Sequence, residues 1–215
     1  MAKSVYSVVL SDEVVAAVDR LAYREGVSRS RMIEQILAQY ARCDTPARRM
    51  TDVFSQIEQM AALHGQLQLL FNQSDELLQL KSAVPYKYNP TVKYAVALTE
   101  RVPGQTGELR VTLRSQSAAL LGAMNRFFHL WAQLEERYFE DGSFLSFRIE
   151  EGRYTRGLRC AAEDPARLGE AIAAYIRLMD GVMKAYFEAL PDENAAISAA
   201  AARFGRGLSP ALCRL

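Results

Sequence analysis

Two serines and two arginines lie together at the start of a predicted helix, in the order Ser28-Arg29-Ser30-Arg31. The backbone N–H groups of a first helical turn have no partner within the helix, and the helix dipole adds positive charge at that end. Hydroxyl and guanidinium groups placed there supply further donors, so this spacing predicts an anion-binding site. The alternative is that Ser28 only caps the helix and that the arginines are solvated.

The chain shows none of the residue patterns that carry common catalytic chemistry. It has no GxSxG sequence, no glycine-rich phosphate loop, no HExxH sequence and no cysteine placed beside a histidine. Its densest acidic stretch is of a kind that usually lies on a solvated face: Glu135, Glu136, Glu140, Asp141, Glu150 and Glu151. His64 and His129 lie among apolar residues without a second ligand at metal spacing. We therefore expect no enzymatic activity, no metal and no cofactor.

Composition argues against a basic field over the whole molecule. Half of the 215 residues are hydrophobic, and the formal net charge is only +1, so any affinity for nucleic acid must come from a local patch that dimerisation doubles. Cys43, Cys160 and Cys213 show no CxxC spacing and no signal sequence precedes them, which indicates reduced cytoplasmic thiols. No apolar run reaches the roughly 18 residues that span a bilayer. We expect a soluble cytoplasmic protein without a membrane partner.

The elements that must position the serines and arginines lie N-terminal to them and around them. Ser4–Leu10 alternates like a pleated strand and is rich in β-branched residues. Ser11 can cap a first helix, Gly26 is expected at its left-handed end, and Ser28 can cap a second helix. Apolar residues recur at helical spacing, with Val14, Val15, Val18, Leu21 and Ala22 in the first helix and Met32, Ile33, Ile36, Leu37 and Tyr40 in the second.

One strand and two short helices leave the strand without a backbone partner and cannot close a core of their own. We therefore expect two copies to pair their strands antiparallel across a two-fold axis, with four helices beneath them.

This segment resembles the ribbon-helix-helix family of DNA-binding proteins, the Arc, MetJ and CopG kind. The resemblance rests on the strand that ends at Leu10 before Ser11–Glu13, on the turn Gly26–Ser28 and on Arg29–Arg31. It implies a homodimer that lays its paired strands in the major groove of double-stranded DNA and seats a DNA phosphate at the start of helix two.

The resemblance assigns DNA contacts to two sets of residues. With Tyr6, Val8 and Leu10 inward, the base-contacting residues are Lys3, Val5, Ser7 and Val9, and the phosphate-contacting residues are Ser28, Arg29, Ser30 and Arg31. Many relatives carry Arg, Lys, Asn or Gln at the base-contacting positions, whereas two of the four are valines here. A valine touches a thymine methyl and Ser7 makes one hydrogen bond, which predicts a weak, A·T-leaning readout. The alternative is that Val5 and Val9 are buried by another part of the chain.

The remaining chain divides into a connecting segment and a larger domain. Residues 1–43 form the DNA-binding and dimerisation domain, and residues 44–84 contain a short linker and a helix from about Ala47 to Lys81. A mostly apolar set of residues of this helix falls at heptad spacing, namely Met50, Val53, Ile57, Met60, His64, Leu67 and Phe71. This seam either prolongs the dimer as a coiled coil or packs against the C-terminal domain. The widening of the apolar surface to Leu63, Leu70 and Leu77 favours packing.

Residues 85–215 predict an α+β domain with an effector or oligomerisation role. Strand patterns predict hairpins within Val92–Leu113 and Phe144–Arg159, and helical patterns cover Ser117–Phe139, Asp164–Leu190 and Pro191–Phe204. The hairpins carry several cations, namely Lys93, Arg110, Arg114, Arg148, Arg153, Arg156 and Arg159. These indicate the solvated side of a half-buried sheet, with a second DNA or partner surface as the alternative. The expected fold class is mixed α+β and mostly helical.

The sequence thus predicts a dimeric, sequence-specific DNA-binding protein, a transcriptional regulator of the repressor kind. Higher oligomers are an alternative to the simple homodimer. Two other functions stay open, an accessory DNA-binding protein of plasmid transfer or partition and an interaction module whose ribbon only dimerises. The apolar Val5 and Val9 favour the interaction module.

Overall fold

The chain consists of two compact units, Met1–Arg48 and Arg49–Leu215. The computed structural model describes residues 5–43, 46–65, 67–70, 77–102, 105–138, 146–159, 165–209 and 212. Most of the segment 44–84, predicted to connect two domains, therefore belongs to the second unit. Within the described residues, no helix combines the length and the hydropathy needed to cross a bilayer.

Both predicted helices of the first unit are present. They are α1 (Asp12–Glu25) and α2 (Arg29–Tyr40). Gly26 ends α1 with φ of 66° and ψ of 26°, a left-handed conformation that glycine adopts without steric cost. The Ser28 hydroxyl accepts a hydrogen bond from the Arg31 backbone N–H at 3.3 Å, whereas the Ser11 side chain makes no cap hydrogen bond.

Residues 5–10 lie ahead of α1 and form neither a helix nor a strand within this chain. The strand predicted over Ser4–Leu10 requires the backbone of a second chain, because a β-ladder needs a partner for its N–H and C=O groups. It stays a prediction, and Ser4 lies outside the described residues.

The second unit is an α+β structure built on a single antiparallel sheet. Its elements are α3 (Pro46–His64, of which the first three residues belong to the first unit), β1 (Gln68–Leu70), β2 (Leu77–Ala83), β3 (Thr91–Val102), β4 (Gln105–Leu113), α4 (Ala118–Tyr138), β5 (Phe147–Glu150), β6 (Arg153–Leu158), α5 (Pro165–Glu188) and α6 (Glu193–Gly207). The six strands follow the order β1-β2-β3-β4-β6-β5. Both predicted hairpins are present, and pairing of β4 with β6 joins them into one sheet. The mixed α+β, mostly helical fold class is confirmed.

The helix predicted over about Ala47–Lys81 is wrong in its second half. α3 ends at His64, and Gly65 follows with φ of 61°, a conformation that does not continue a helix. Leu77–Ala83 instead forms β2, which pairs with β3 in continuous register. Leucine, glutamine and lysine favour helices, but cross-strand pairing and burial of alternate side chains outweigh that preference here.

The heptad seam predicted on this helix packs into the core of the second unit as far as it is described. Val53 and Ile57 of α3 are buried in the same apolar cluster as the sheet and α5. Leu63 is exposed, so the apolar surface does not widen there as predicted. Phe71, the last residue of the seam, lies outside the described residues.

The sheet has one buried face and one face with polar side chains. Residues such as Leu80, Tyr94 and Val111 share a cluster with Phe127 and Trp131 of α4 and with Ile176 of α5. The other side, called the open face below, consists of the odd-numbered residues of β2, β3 (to Leu98) and β6 and the even-numbered residues of β1, β4 and β5. This assignment follows from the pairing register and the period of two along each strand.

Two charges predicted to be solvated are buried. The prediction places Arg156 among the cations of the wet sheet face and Glu135 in the solvated acidic stretch, but their side chains are 2% and 0% exposed and their Nε and Oε1 atoms lie 2.9 Å apart. Arg156 shares the buried face with Tyr154 and Leu158 because all three are even-numbered residues of β6. The other described acids of that stretch, Glu136, Glu150 and Glu151, are exposed.

Aromatic residues complete the surroundings of this ion pair. The Tyr154 hydroxyl donates to Glu135, and the Arg156 guanidinium lies 4.8 Å from the centre of the Tyr175 ring. Trp131 donates its indole N–H to the Tyr175 hydroxyl at 2.7 Å. Burial raises the pKa of Glu135, although the Arg156 charge and the hydrogen bonds around the carboxylate act in the opposite direction. We call these five residues the Glu135–Arg156 network.

Replacing Glu135 by alanine should destabilise the second unit by about 3–5 kcal/mol, because it leaves the Arg156 charge buried without its counterion. Glu136→Ala removes a carboxylate from the next residue, which is exposed, and should change stability by no more than about 0.5 kcal/mol. Urea unfolding of both variants, followed by circular dichroism, measures the difference. Similar small losses in the two variants would contradict a structural role for the buried pair.

Candidate nucleic-acid interface

Residues 5–10, ahead of α1, contain both predicted sets of side chains. Val5 and Val9 are 99% exposed, so the described chain does not bury them, and Ser7 is exposed as well. Tyr6, Val8 and Leu10, predicted to turn inward, are 84%, 68% and 38% exposed. The second set thus loses exposure progressively towards α1. Lys3, the remaining predicted base-contacting residue, lies outside the described residues.

The four predicted phosphate-contacting residues lie together at the start of α2. Ser28 is the N-cap, Arg29 to Arg31 form the first turn, and Ser28, Arg29 and Ser30 are exposed while Arg31 is half-buried. The Ser28 oxygen already accepts the Arg31 backbone N–H, but its hydroxyl hydrogen can still donate. The first turn has no acidic residue to compete with an incoming anion.

Arg29 has a partner that the sequence did not indicate. Its guanidinium binds Asp19 of α1 in a bidentate manner, with Nε–Oδ1 and Nη2–Oδ2 distances of 2.5 and 2.6 Å. The hydrogen bond from Arg29 lowers the pKa of Asp19, and the same bond raises the pKa of Arg29. Both side chains remain about half exposed, at 57% and 43%. Arg29 can therefore bind a phosphate only if it shares its N–H donors between the phosphate and Asp19, or if its ion pair with Asp19 breaks.

The apolar side chains of the two helices are only partly used within one chain. Val18, Ala22 and Met32 form a small buried cluster, with Leu21, Val27 and Ile33 packed at its border. Tyr23, Leu37 and Tyr40 are exposed. A buried cluster of this size is far below what a stable domain needs, so the first unit carries apolar surface suited to a further partner.

Residues 7–42 match the family model described as ribbon-helix-helix protein, copG family. The match includes the residues just ahead of α1, both helices and the turn between them, and it confirms the resemblance for this part of the chain. Ribbon-helix-helix domains belong to a DNA-binding, dimerising and non-enzymatic family. No curated protein and no solved structure is significantly similar to the chain.

Proposed function

We propose that the chain is a dimeric, sequence-specific DNA-binding protein of the cytoplasm, a transcriptional regulator that acts as a repressor. Two copies pair their N-terminal strands antiparallel and lay this ribbon in the major groove of an operator. Residues 1–43 supply dimerisation and DNA binding, and the C-terminal domain receives an effector or promotes oligomerisation. The observation that carries the proposal is an exposed, largely apolar segment, residues 5–10, joined directly to two helices that match a DNA-binding family.

Dimerisation follows from what the first unit leaves exposed. Tyr6, Val8 and Leu10 lack full burial, and the backbone of residues 5–10 has no ladder partner within the described chain. Pairing with the same segment of a second copy satisfies the backbone groups and turns these side chains towards the helices. The exposed apolar residues of α1 and α2 then enter a shared core.

DNA contacts follow from the side chains that the dimer leaves outward. Val5, Ser7 and Val9 project from the outer side of the ribbon, with Lys3 expected beyond them. The two valines contact thymine methyl groups, and Ser7 makes one hydrogen bond with a base edge. The hydroxyls of Ser28 and Ser30 and the guanidinium groups of Arg29 and Arg31 hold a backbone phosphate at each α2 start.

A second candidate function is an interaction module whose ribbon dimerises without reading DNA. The full exposure of the apolar Val5 and Val9 favours it, because these two side chains offer no hydrogen bond to a base edge. The two functions differ in one measurable property, since only the regulator binds DNA through the ribbon and the α2 start, so that Arg29 and Arg31 contribute to the salt dependence of its affinity.

Replacing Val8 by aspartate should dissociate the dimer, because a charge would then be buried between the ribbon and the helices. Val9→Asp places the same charge one residue further along, on the outward side, and should leave the dimer intact. Sedimentation equilibrium of the full chain distinguishes the mass of a monomer from that of a dimer. The proposal fails if the unmodified chain is a monomer, and the inward–outward assignment fails if both variants dissociate equally.

Replacing Arg29 and Arg31 together by alanine should weaken binding to all DNA sequences and reduce its salt dependence. The slope of log affinity against log salt concentration should fall by about 0.9 for each phosphate that the variant no longer neutralises. Arg20→Ala with Arg24→Ala removes two exposed cations from α1 and serves as the control. Fluorescence anisotropy with the DNA upstream of the chain's own coding sequence and with an unrelated duplex provides the measurement. An unchanged slope would remove the phosphate assignment, and absence of binding by the unmodified chain would favour the interaction module.

A further inference from the structure

We propose that the open face of the sheet binds the phosphate backbone of a double-stranded nucleic acid, as a site separate from the N-terminal ribbon and the α2 start. The proposal rests on the cross-strand register of the second unit. Along the described strands this face carries five cationic side chains, Lys81, Lys93, Arg110, Arg148 and Arg153, and two carboxylates, Glu108 and Glu150. The whole chain has a net charge of only +1, so positive charge is concentrated here.

Four of the open-face residues form a row across adjacent strands. Lys81 pairs with Lys93, Lys93 with Thr112 and Thr112 with Arg153. Neighbouring strands lie about 4.8 Å apart, so the row extends over roughly 14 Å. It presents ammonium, hydroxyl and guanidinium groups, which are the side-chain donors that bind phosphate oxygens in protein–DNA interfaces.

The two lysines of this row lie opposite each other, without a compensating carboxylate among the described residues. Directly opposite like charges destabilise a pair of strands, and no ion pair joins Lys81 or Lys93 to a described carboxylate. The arginines of the face differ, because Arg110 binds Glu108 and Arg153 binds Glu150 at 3.1 Å. An anion placed between the lysines relieves their repulsion, and it does so without breaking an existing pair.

The remaining side chains of the face favour nucleic acid over a protein partner. Protein interfaces depend on aromatic and large apolar anchors, whereas nucleic-acid interfaces are polar and positively charged. In the middle of the open face, Arg110 and Glu108 of β4 lie between small side chains, at Ala95, Ala97 and Gly157. Its large apolar residues, Leu70 and Leu77, lie at the β1–β2 edge. A flat, cationic surface without an anchor suits a backbone of regularly spaced phosphates.

The test compares the full chain with its Lys81→Gln/Lys93→Gln variant, using fluorescence anisotropy with a labelled 30-base-pair duplex of arbitrary sequence over a range of salt concentrations. The salt slope should decrease by about 0.9 for each lysine that contacts phosphate, and Lys93→Gln alone should give about half of the full change. Neither variant should melt at a lower temperature, because each substitution removes a like-charge repulsion.

Two further comparisons identify the site. Arg137→Gln/Arg206→Gln removes two exposed cations from α4 and α6 and should leave the slope unchanged. The lysine effect should persist when Arg29 and Arg31 are also alanine, which separates this face from the N-terminal contacts. An unchanged salt slope in the lysine variant, or an equal decrease in the arginine control, would overturn the proposal. Tighter binding of poly-glutamate than of the duplex would also overturn it, because it would identify an acidic protein segment as the occupant.

Discussion

Every backbone N–H and C=O group that leaves water must find a hydrogen-bond partner, and this requirement governs the N-terminal unit. Residues 5–10 are exposed, rich in apolar side chains and without a ladder in the described chain. The helices behind them bury only a small cluster. A second copy of the same segment removes both deficits, and in our proposal the ribbon that enters the major groove exists only once that copy is in place.

The charges of this chain take three different roles according to where they lie. Arg156 and Glu135 are buried opposite each other inside the second unit, where they constrain packing between β6 and α4. Arg29 and Asp19 form an exposed pair that links α1 with α2 and holds a guanidinium beside the start of α2. The cations of the open face stand on a sheet whose register brings Lys81 opposite Lys93. The nearly neutral net charge of the chain therefore does not predict how strongly a given surface binds an anion, because the electrostatic field near a surface is set by its local side chains.

Local signals predict much of this structure. Gly26 and Ser28 mark the turn between α1 and α2, and the alternation in Val92–Leu113 indicates a hairpin. The composition of β2 favours a helix, so the sequence wrongly predicts one there. A helix would not place Lys81 opposite Lys93, and only the strand register shows that the two lysines are paired. Long-range pairing of this kind overrides local propensity and has no signature within a short window.

Other wrong predictions could have been avoided from the sequence pattern. Arg156 alternates with its neighbours in phase with Tyr154 and Leu158, so the period of two already places it on the buried face. Glu135 follows Trp131 by four residues, which puts the two on one side of α4. The Asp19–Arg29 pair is different, because it depends on how two helices cross and no periodicity within either helix indicates it.

Hydrogen exchange of the backbone amides of residues 5–10, measured on the full chain over a range of protein concentrations, tests the central claim most directly. Antiparallel pairing predicts that alternate amides in this segment are protected and that protection decreases on dilution as the dimer dissociates. Exchange at the rate of an unstructured peptide at every concentration would contradict the account.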